Sequence, residues 1–165
     1  MKTIYLSLGS NVGNRAENIA RAMELLAAAG VRLERQSALY STEPVDFPTQ
    51  AWFLNCVVEA ETDLMPRQLL HAVQQIELQM GRRHLVPRGP RVIDIDILLF
   101  GSSVVRAADL ELPHPRLAAR RFVLVPLGEI APAVRHPVLK KTIAELLADS
   151  TDASQVRRWY AGQSR

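Results

Sequence analysis

Apolar positions along this chain switch between two spacings, and the switches mark the elements. Thr3 to Leu8 alternates weakly and is rich in β-favouring residues, which predicts a first strand. Gly9-Ser10-Asn11-Val12-Gly13-Asn14 follows as a run of turn formers. From Asn14, a good N-cap, the apolar stripe Ile19, Ala22, Met23, Leu26 and Ala27 predicts a helix to about Ala29, closed by Gly30. Val31 to Ser41 reads as a second strand, then Thr42 to Gln50 as a long loop bearing Pro44 and Pro48. Trp52 to Thr62 reads as a third strand. In that strand Phe53, Asn55, Val57 and Glu59 share one face, and Leu54, Cys56 and Val58 the other.

Pro66 suits the first turn of a second helix, marked by Leu69, Leu70, Val73, Ile76, Glu77 and Met80 and ended by Gly81. Val92 to Phe100 is a fourth strand. Gly101-Ser102-Ser103 predicts a hairpin-type turn into Val104-Val105. Leu112-Pro113-His114-Pro115-Arg116 is a rigid loop and Leu117 to Arg121 a short helical turn. Phe122 to Leu127 enters the core as an apolar segment, and Thr142 to Ala148 is a last short helix. The polar tail from Ser150 is expected to fray, with Trp159 and Tyr160 as its docking points. Strand, helix, strand, strand, helix, strand is the ferredoxin-like βαββαβ order. It predicts an α+β domain, an antiparallel sheet with helices packed on it, extended by a hairpin and C-terminal helices.

Composition narrows the function classes. At 165 residues one domain over 1–165 is expected, and 48% hydrophobic with 22% charged residues suits a soluble globular protein. The single cysteine, Cys56, lies within an apolar run and reads as a small buried hydrophobe in a reducing compartment. Net charge is +3, too small to announce nucleic-acid binding. No apolar run reaches the ~20 residues of a membrane span, and the N-terminus shows no leader pattern. A cytoplasmic protein without nucleic-acid or membrane partners is expected.

The stretch Arg88-Gly89-Pro90-Arg91-Val92-Ile93-Asp94-Ile95-Asp96-Ile97-Leu98-Leu99-Phe100 carries the chemistry. Alternation places Ile93, Ile95, Ile97 and Leu99 on one face, and Asp94, Asp96, Leu98 and Phe100 on the other. The two carboxylates would stand roughly 6–7 Å apart at Cα, close enough to repel. A solvated strand face would explain them; so would a bound cation such as Mg²⁺, which takes one or two carboxylates and fills its shell with phosphate oxygens and water. Arg82, Arg83, Arg88 and Arg91 immediately precede Val92 and could recognise phosphate as bidentate forks. That combination favours phosphoryl transfer. Asn55 either ties down backbone or reads a substrate edge beside Phe53. Glu77 either orients an arginine or is a solvated helix glutamate. His114, held between prolines, leans toward a ligand contact.

These residues resemble the bacterial hydroxymethyl-dihydropterin pyrophosphokinases (2-amino-4-hydroxy-6-hydroxymethyldihydropteridine pyrophosphokinases) of folate synthesis. The matching pieces run from Leu8-Gly9-Ser10-Asn11 through Tyr40-Ser41-Thr42-Glu43-Pro44, Phe53-Leu54-Asn55, Ile76-Glu77 and Gly81-Arg82. Gly89-Pro90-Arg91 with Asp94-Ile95-Asp96-Ile97-Leu98 is the most specific, followed by Pro113-His114, Arg120 with Phe122, Pro126-Leu127 and Glu129-Ile130-Ala131-Pro132. The resemblance implies an ATP-dependent diphosphotransferase that moves pyrophosphate from ATP to the hydroxymethyl group of a reduced pterin and releases AMP, as a monomer. It implies two Mg²⁺ ions on Asp94 and Asp96, with Arg82 and Arg91 completing the catalytic set. ATP would meet Gln74, Glu77, Arg82, Arg83, Arg91, Ile97, His114 and Arg120. The pterin would meet Thr42, Pro44, Val45, Phe53, Asn55, Asp94 and Phe122. The chain departs from the family in a shorter Arg83–Arg88 loop, in Arg88 where an aromatic is frequent, and in Pro115 where some members carry tyrosine. Two rivals share the topology: a nucleotidyl-transferring palm-like domain, and an RNA-binding module, which the acid pair argues against.

Overall fold

The computed structural model describes residues 1–44, 49–81 and 90–162. Val45, Arg82, Arg83 and Arg88 lie outside the described residues. Eight strands and four α-helices are described: β1 (Lys2–Ser10), α1 (Arg15–Ala28), β2 (Val31–Gln36), β3 (Tyr40–Thr42), β4 (Phe53–Thr62), α2 (Pro66–Gln79), β5 (Asp94–Phe100), β6 (Val105–Arg106), β7 (Glu111–Leu112), α3 (Arg121–Ile130), α4 (Ile143–Asp149) and β8 (Val156–Arg158). A 3-10 turn spans Leu117–Ala119.

The main sheet is antiparallel in the order β5-β1-β4-β3-β8, with β2 also paired to β4. Treating β2 and β3 as one interrupted strand gives the ferredoxin-like arrangement. One face of the sheet packs on α1 and α2 through Ile4, Leu6, Leu8, Leu54, Cys56, Val58, Ile93, Ile95 and Ile97, met by Ile19, Leu26, Leu69, Val73 and Ile76. The other face packs on α3 and α4 through Tyr5, Val57, Leu98 and Leu99, met by Val123, Leu124, Leu127 and Leu146. α3 covers only part of this second face, and the uncovered part becomes the floor of the cleft. Cys56 is fully buried in β4, and burial pushes its thiol up to about 12.

Five local expectations are corrected, each for a physical reason. Gly9 and Ser10 continue β1 rather than turning, because both still pair with β4. The single strand expected over 31–41 is two. Residues 37–39 bulge out while Ser37 binds Val57 twice: the Ser37 N–H donates to Val57 O at 2.9 Å, and the Val57 N–H donates to Ser37 Oγ at 3.0 Å. Within β5, Tyr5 opposes Leu99 and Leu6 opposes Ile97, so Leu98 is a bulge residue and the alternation inverts. Leu99 therefore joins Leu98 on the α3 side, and Phe100 turns to the α1–α2 side. Val105 pairs with β7 in a separate two-stranded ribbon rather than back onto β5. Phe122 to Leu127 is part of α3, with Pro126 inside the helix.

The tail pairs rather than frays, while Trp159 docks on the core as expected. β8 pairs along β3, and the Trp159 N–H donates to Leu39 O at 2.9 Å. Among the described residues no helix is long and apolar enough to cross a membrane. The Ser37→Ala variant strips the Val57 N–H of its acceptor in a buried strand. It should lower stability by about 1–3 kcal/mol, seen as a lower urea midpoint at unchanged slope.

Candidate active site

A cleft of about 360 Å³ opens where β1, β4 and β5 emerge from beneath α3. Its floor is the sheet itself. Ser7 and Gly9 come from β1, Phe53 and Asn55 from β4, and Asp94 and Asp96 from β5. Thr42 and Pro44 close one end, Arg91 another, and His114, Arg120 and Phe122 complete the lining.

The β5 end is ionic. Arg91 Nη1 donates to Asp94 Oδ2 at 3.1 Å. Asp96 stands 4.0 Å from His114 Nε2 and 3.9 Å from an Arg120 guanidinium nitrogen, ion-pair rather than hydrogen-bond range. The aspartate side chains keep 23% and 32% of their exposure, enough for a ligand to reach them. Two carboxylates on one rigid strand, partly screened by cations, fit a hard divalent ion. Among the described residues no third His, Cys, Asp or Glu joins them. The remaining coordination would therefore come from substrate oxygens and water.

Several supports hold this end. Glu77, expected to be solvated or to aim at an arginine, is buried in α2, and its Oε2 accepts the Ile95 N–H at 2.9 Å. It thereby fixes the edge of β5 between the two aspartates. Asn11 accepts the Arg91 N–H at 2.7 Å and donates to Gln50 Oε1 and Ala51 O at 2.8 and 3.0 Å. The His114 N–H donates to Leu98 O at 2.9 Å, which ties the Pro-His-Pro loop to β5. His114 Nδ1 accepts the Arg116 N–H at 3.1 Å, leaving Nε2 as the protonated nitrogen facing Asp96. Burial first, then the Arg120 and Arg116 guanidiniums, push this imidazole down to about 4, against a pull from Asp94.

The other end is lined by an amide and two aromatic side chains. Asn55 Nδ2 donates to Thr42 Oγ1 at 2.6 Å, so its amide plane is fixed. Gly9 leaves room for it: a Cβ there would overlap Asn55 Oδ1. Phe53 and Phe122 line this end, and the Arg120 guanidinium lies over the Phe122 ring, 5.4 Å from its centroid.

Of the residues expected from sequence, Thr42, Pro44, Phe53, Asn55, Arg91, Asp94, Asp96, His114, Arg120 and Phe122 come together in this cleft. Gln74 is exposed on α2, Glu77 lies beneath β5, and the Ile97 side chain is in the α1–α2 core. Sequence reasoning missed Ser7 and Gln50 as lining residues and Asn11 as the support behind Arg91. An asparagine buried within a turn-forming run was the available signal for the last.

The fold and cleft define a ferredoxin-like domain whose sheet gathers a carboxylate pair, nearby cations and two aromatic side chains into one pocket. The sequence profile described as 7,8-dihydro-6-hydroxymethylpterin-pyrophosphokinase (HPPK) matches residues 5–132. The chain belongs to this family. It is 42% identical over 151 residues to the 2-amino-4-hydroxy-6-hydroxymethyldihydropteridine pyrophosphokinase of Aquifex aeolicus, covering 92% of this chain and 94% of that one. It is likewise 42% identical to that of Bacillus subtilis, covering 94% and 89%. The folic acid synthesis protein of Pneumocystis carinii is 39% identical over 92% of this chain, which spans only 20% of that longer protein. Among solved structures, the Plasmodium falciparum HPPK-DHPS wild type with SDX-DHP superposes with a TM-score of 0.69 at 17% identity. That match covers 90% of this chain and 43% of that one, and it supports the fold.

Two outcomes are expected from this geometry. The Gly9→Ala variant should lose roughly 1–3 kcal/mol by overpacking and displace Asn55, read by thermal melting and the Asn55 side-chain amide resonances. Unshifted resonances would show that the added methyl does not displace Asn55. In the ligand-free protein the His114 Cε1 proton should titrate near pH 4, not 6.5. The folded chain then binds fewer protons than the unfolded chain between those values. Its contribution to stability is full above pH 6.5 and is lost as pH falls toward 4, by up to roughly 3 kcal/mol.

Proposed function

We propose that this cleft transfers the terminal diphosphate of ATP to the hydroxymethyl group of 6-hydroxymethyl-7,8-dihydropterin, yielding the pterin diphosphate and AMP. The observation that carries the reading is one cleft joining the Asp94–Asp96 pair, three cationic or hydrogen-bonding side chains and an aromatic–amide slot. Family membership gives the activity; the residue roles rest on the geometry.

The pterin ring enters between the Phe53 and Phe122 faces, with the Asn55 amide and the Thr42–Pro44 backbone reading its polar edge. Its hydroxymethyl oxygen then faces the acid pair. The nucleotide lies along β5. Glu77 occupies the Ile95 amide at the strand's open edge, and Ile97, two residues on, turns its own backbone groups to that edge for the base. Gln74 on α2 borders the same end, and Val45, Arg82 and Arg83 are assigned by the sequence reading alone.

The alcohol oxygen forms a bond to the β-phosphorus as the bond from that phosphorus to the α,β-bridging oxygen breaks. AMP leaves with the bond's electron pair, and the alcohol proton passes to solvent. Arg91 and Arg120 stabilise the charge that builds on the phosphate oxygens, and neutral His114 donates from Nε2. Asp94 and Asp96 would hold two Mg²⁺ ions, whose chemistry is to neutralise and align the triphosphate. Holding the reactants in line is most of what such a site must do. We assign the activity to a cytoplasmic monomer that needs neither nucleic acid nor membrane.

Product analysis tests the reading. Free AMP together with a pterin carrying both terminal phosphates supports it, whereas released pyrophosphate with AMP on the product would replace it with nucleotidyl transfer. The Asp96→Ala variant should lose at least about 10²–10³-fold in turnover while melting within a few degrees of wild type. Near-normal turnover would remove Asp96 from its role.

A further inference from the structure

Two walls of the cleft are held by a segment that lies beyond the residues matched to the family, 5–132. The first wall is the start of α3. Arg120 occupies its N-cap position and makes no side-chain cap hydrogen bond. An arginine has no acceptor to offer the orphan amides of the first turn, and here its side chain is turned to Asp96 and the Phe122 face. The acceptor arrives from 31 residues downstream: Asp152 Oδ2 takes the Arg121 N–H at 2.8 Å. Negative charge at a helix N-terminus is also favoured by the helix dipole. Asp152 is itself oriented by Ser154, whose N–H and Oγ both donate to Oδ1, at 3.0 and 2.6 Å.

The second wall is the end of β3, and the same segment grips it one residue later. The Gln155 N–H donates to Glu43 Oε1 at 2.5 Å, and the Glu43 N–H donates to Gln155 O at 3.2 Å. β8 then pairs with Tyr40, Ser41 and Thr42. Thr42 is the residue that fixes the Asn55 amide. Within seven residues, 152–158, the chain thus joins the helix end carrying Arg120 and Phe122 to the strand end carrying Thr42, Glu43 and Pro44.

We infer that residues 152–158 form a strap that sets the width of the ring slot, with Asp152 as the positioning residue that docks Phe122 for the flat heterocycle. Asp152 touches no substrate; it acts through the Arg121 amide. The inference rests on the pterin assignment made above. The strap reaches the ionic end only through Arg120, because Asp94, Asp96, Arg91 and His114 are held by β5, Asn11 and the Pro-His-Pro loop.

The test compares wild type with Asp152→Ala and Asp152→Asn in the full chain, by titration with 6-hydroxymethyl-dihydropterin and, separately, with a non-hydrolysable ATP analogue and Mg²⁺. Asp152→Asn keeps the Ser154 contacts and loses the acceptor for Arg121, so it stands in if the alanine variant does not fold. The expected result in a folded variant is pterin affinity weakened about fivefold or more, roughly one hydrogen bond, with ATP-analogue affinity changed less than half as much. An unchanged pterin affinity overturns the inference. So does an equal loss for both ligands, which marks general loosening. Wild type that binds no pterin at all would instead overturn the functional reading, so the two failures are distinguishable.

Discussion

Everything in this protein is arranged around keeping two like charges beside each other on one strand. Asp94 and Asp96 repel, and a strand placed only by its own ladder with β1 would relieve that repulsion by twisting or fraying at its open edge. It is prevented from doing so on two sides. Ile93, Ile95 and Ile97 anchor the opposite face in the larger core, and Glu77 takes the edge amide between the two acids. A third carboxylate so close to the pair gives up the screening that water would provide. As an acceptor for backbone, buried beneath the strand, it stiffens the element that carries the charge.

The cations follow from the same constraint. Arg91, His114 and Arg120 come from three different segments, and each is tied to the rest of the fold by a backbone hydrogen bond. For Arg91 the tie is Asn11, for His114 it is Leu98, and for Arg120 it is the first turn of α3. Their side chains need little ordering when a phosphate chain arrives, so less binding energy is lost to ordering them. The aromatic slot is built in the same way, with Gly9 and Thr42 fixing Asn55 before any ring enters.

Much of this was legible in the sequence, because periodicity and composition speak directly about burial. The acid pair stood out as two charges inside a β-favouring run, and the sheet face they share is the one alternation gave them. What periodicity cannot see is a residue that breaks it. Leu98 in β5 and Ser37 between β2 and β3 each mark a bulge, and no spacing rule announces a bulge inside a β-favouring run such as that around Leu98 or a polar one such as that around Ser37. The C-terminal tail misled for a different reason. Polar composition marks an exposed element, and β8 is exposed, yet it is held through backbone pairing to which composition is blind. Glu77 failed for the same cause: a carboxylate whose partner is a main-chain amide carries no signature in side-chain pattern. The acid pair and the arginine beside it were legible because their chemistry is exceptional; Glu77 and Asn11, which hold them in place, were not.

The bulge at Leu98 divides β5 into two lengths that obey opposite parity. Upstream, odd positions face the α1–α2 core; downstream, even ones do. Loss of Leu98 would merge the two lengths into one regular strand with Leu99 and Phe100 on their present sides, whereas one added residue would leave the acidic couple aimed into the cleft and turn the hydrophobic end over. The bulge carbonyl also anchors the loop that bears His114, so the count of residues between Asp96 and Gly101 answers to the interior and to the cleft together.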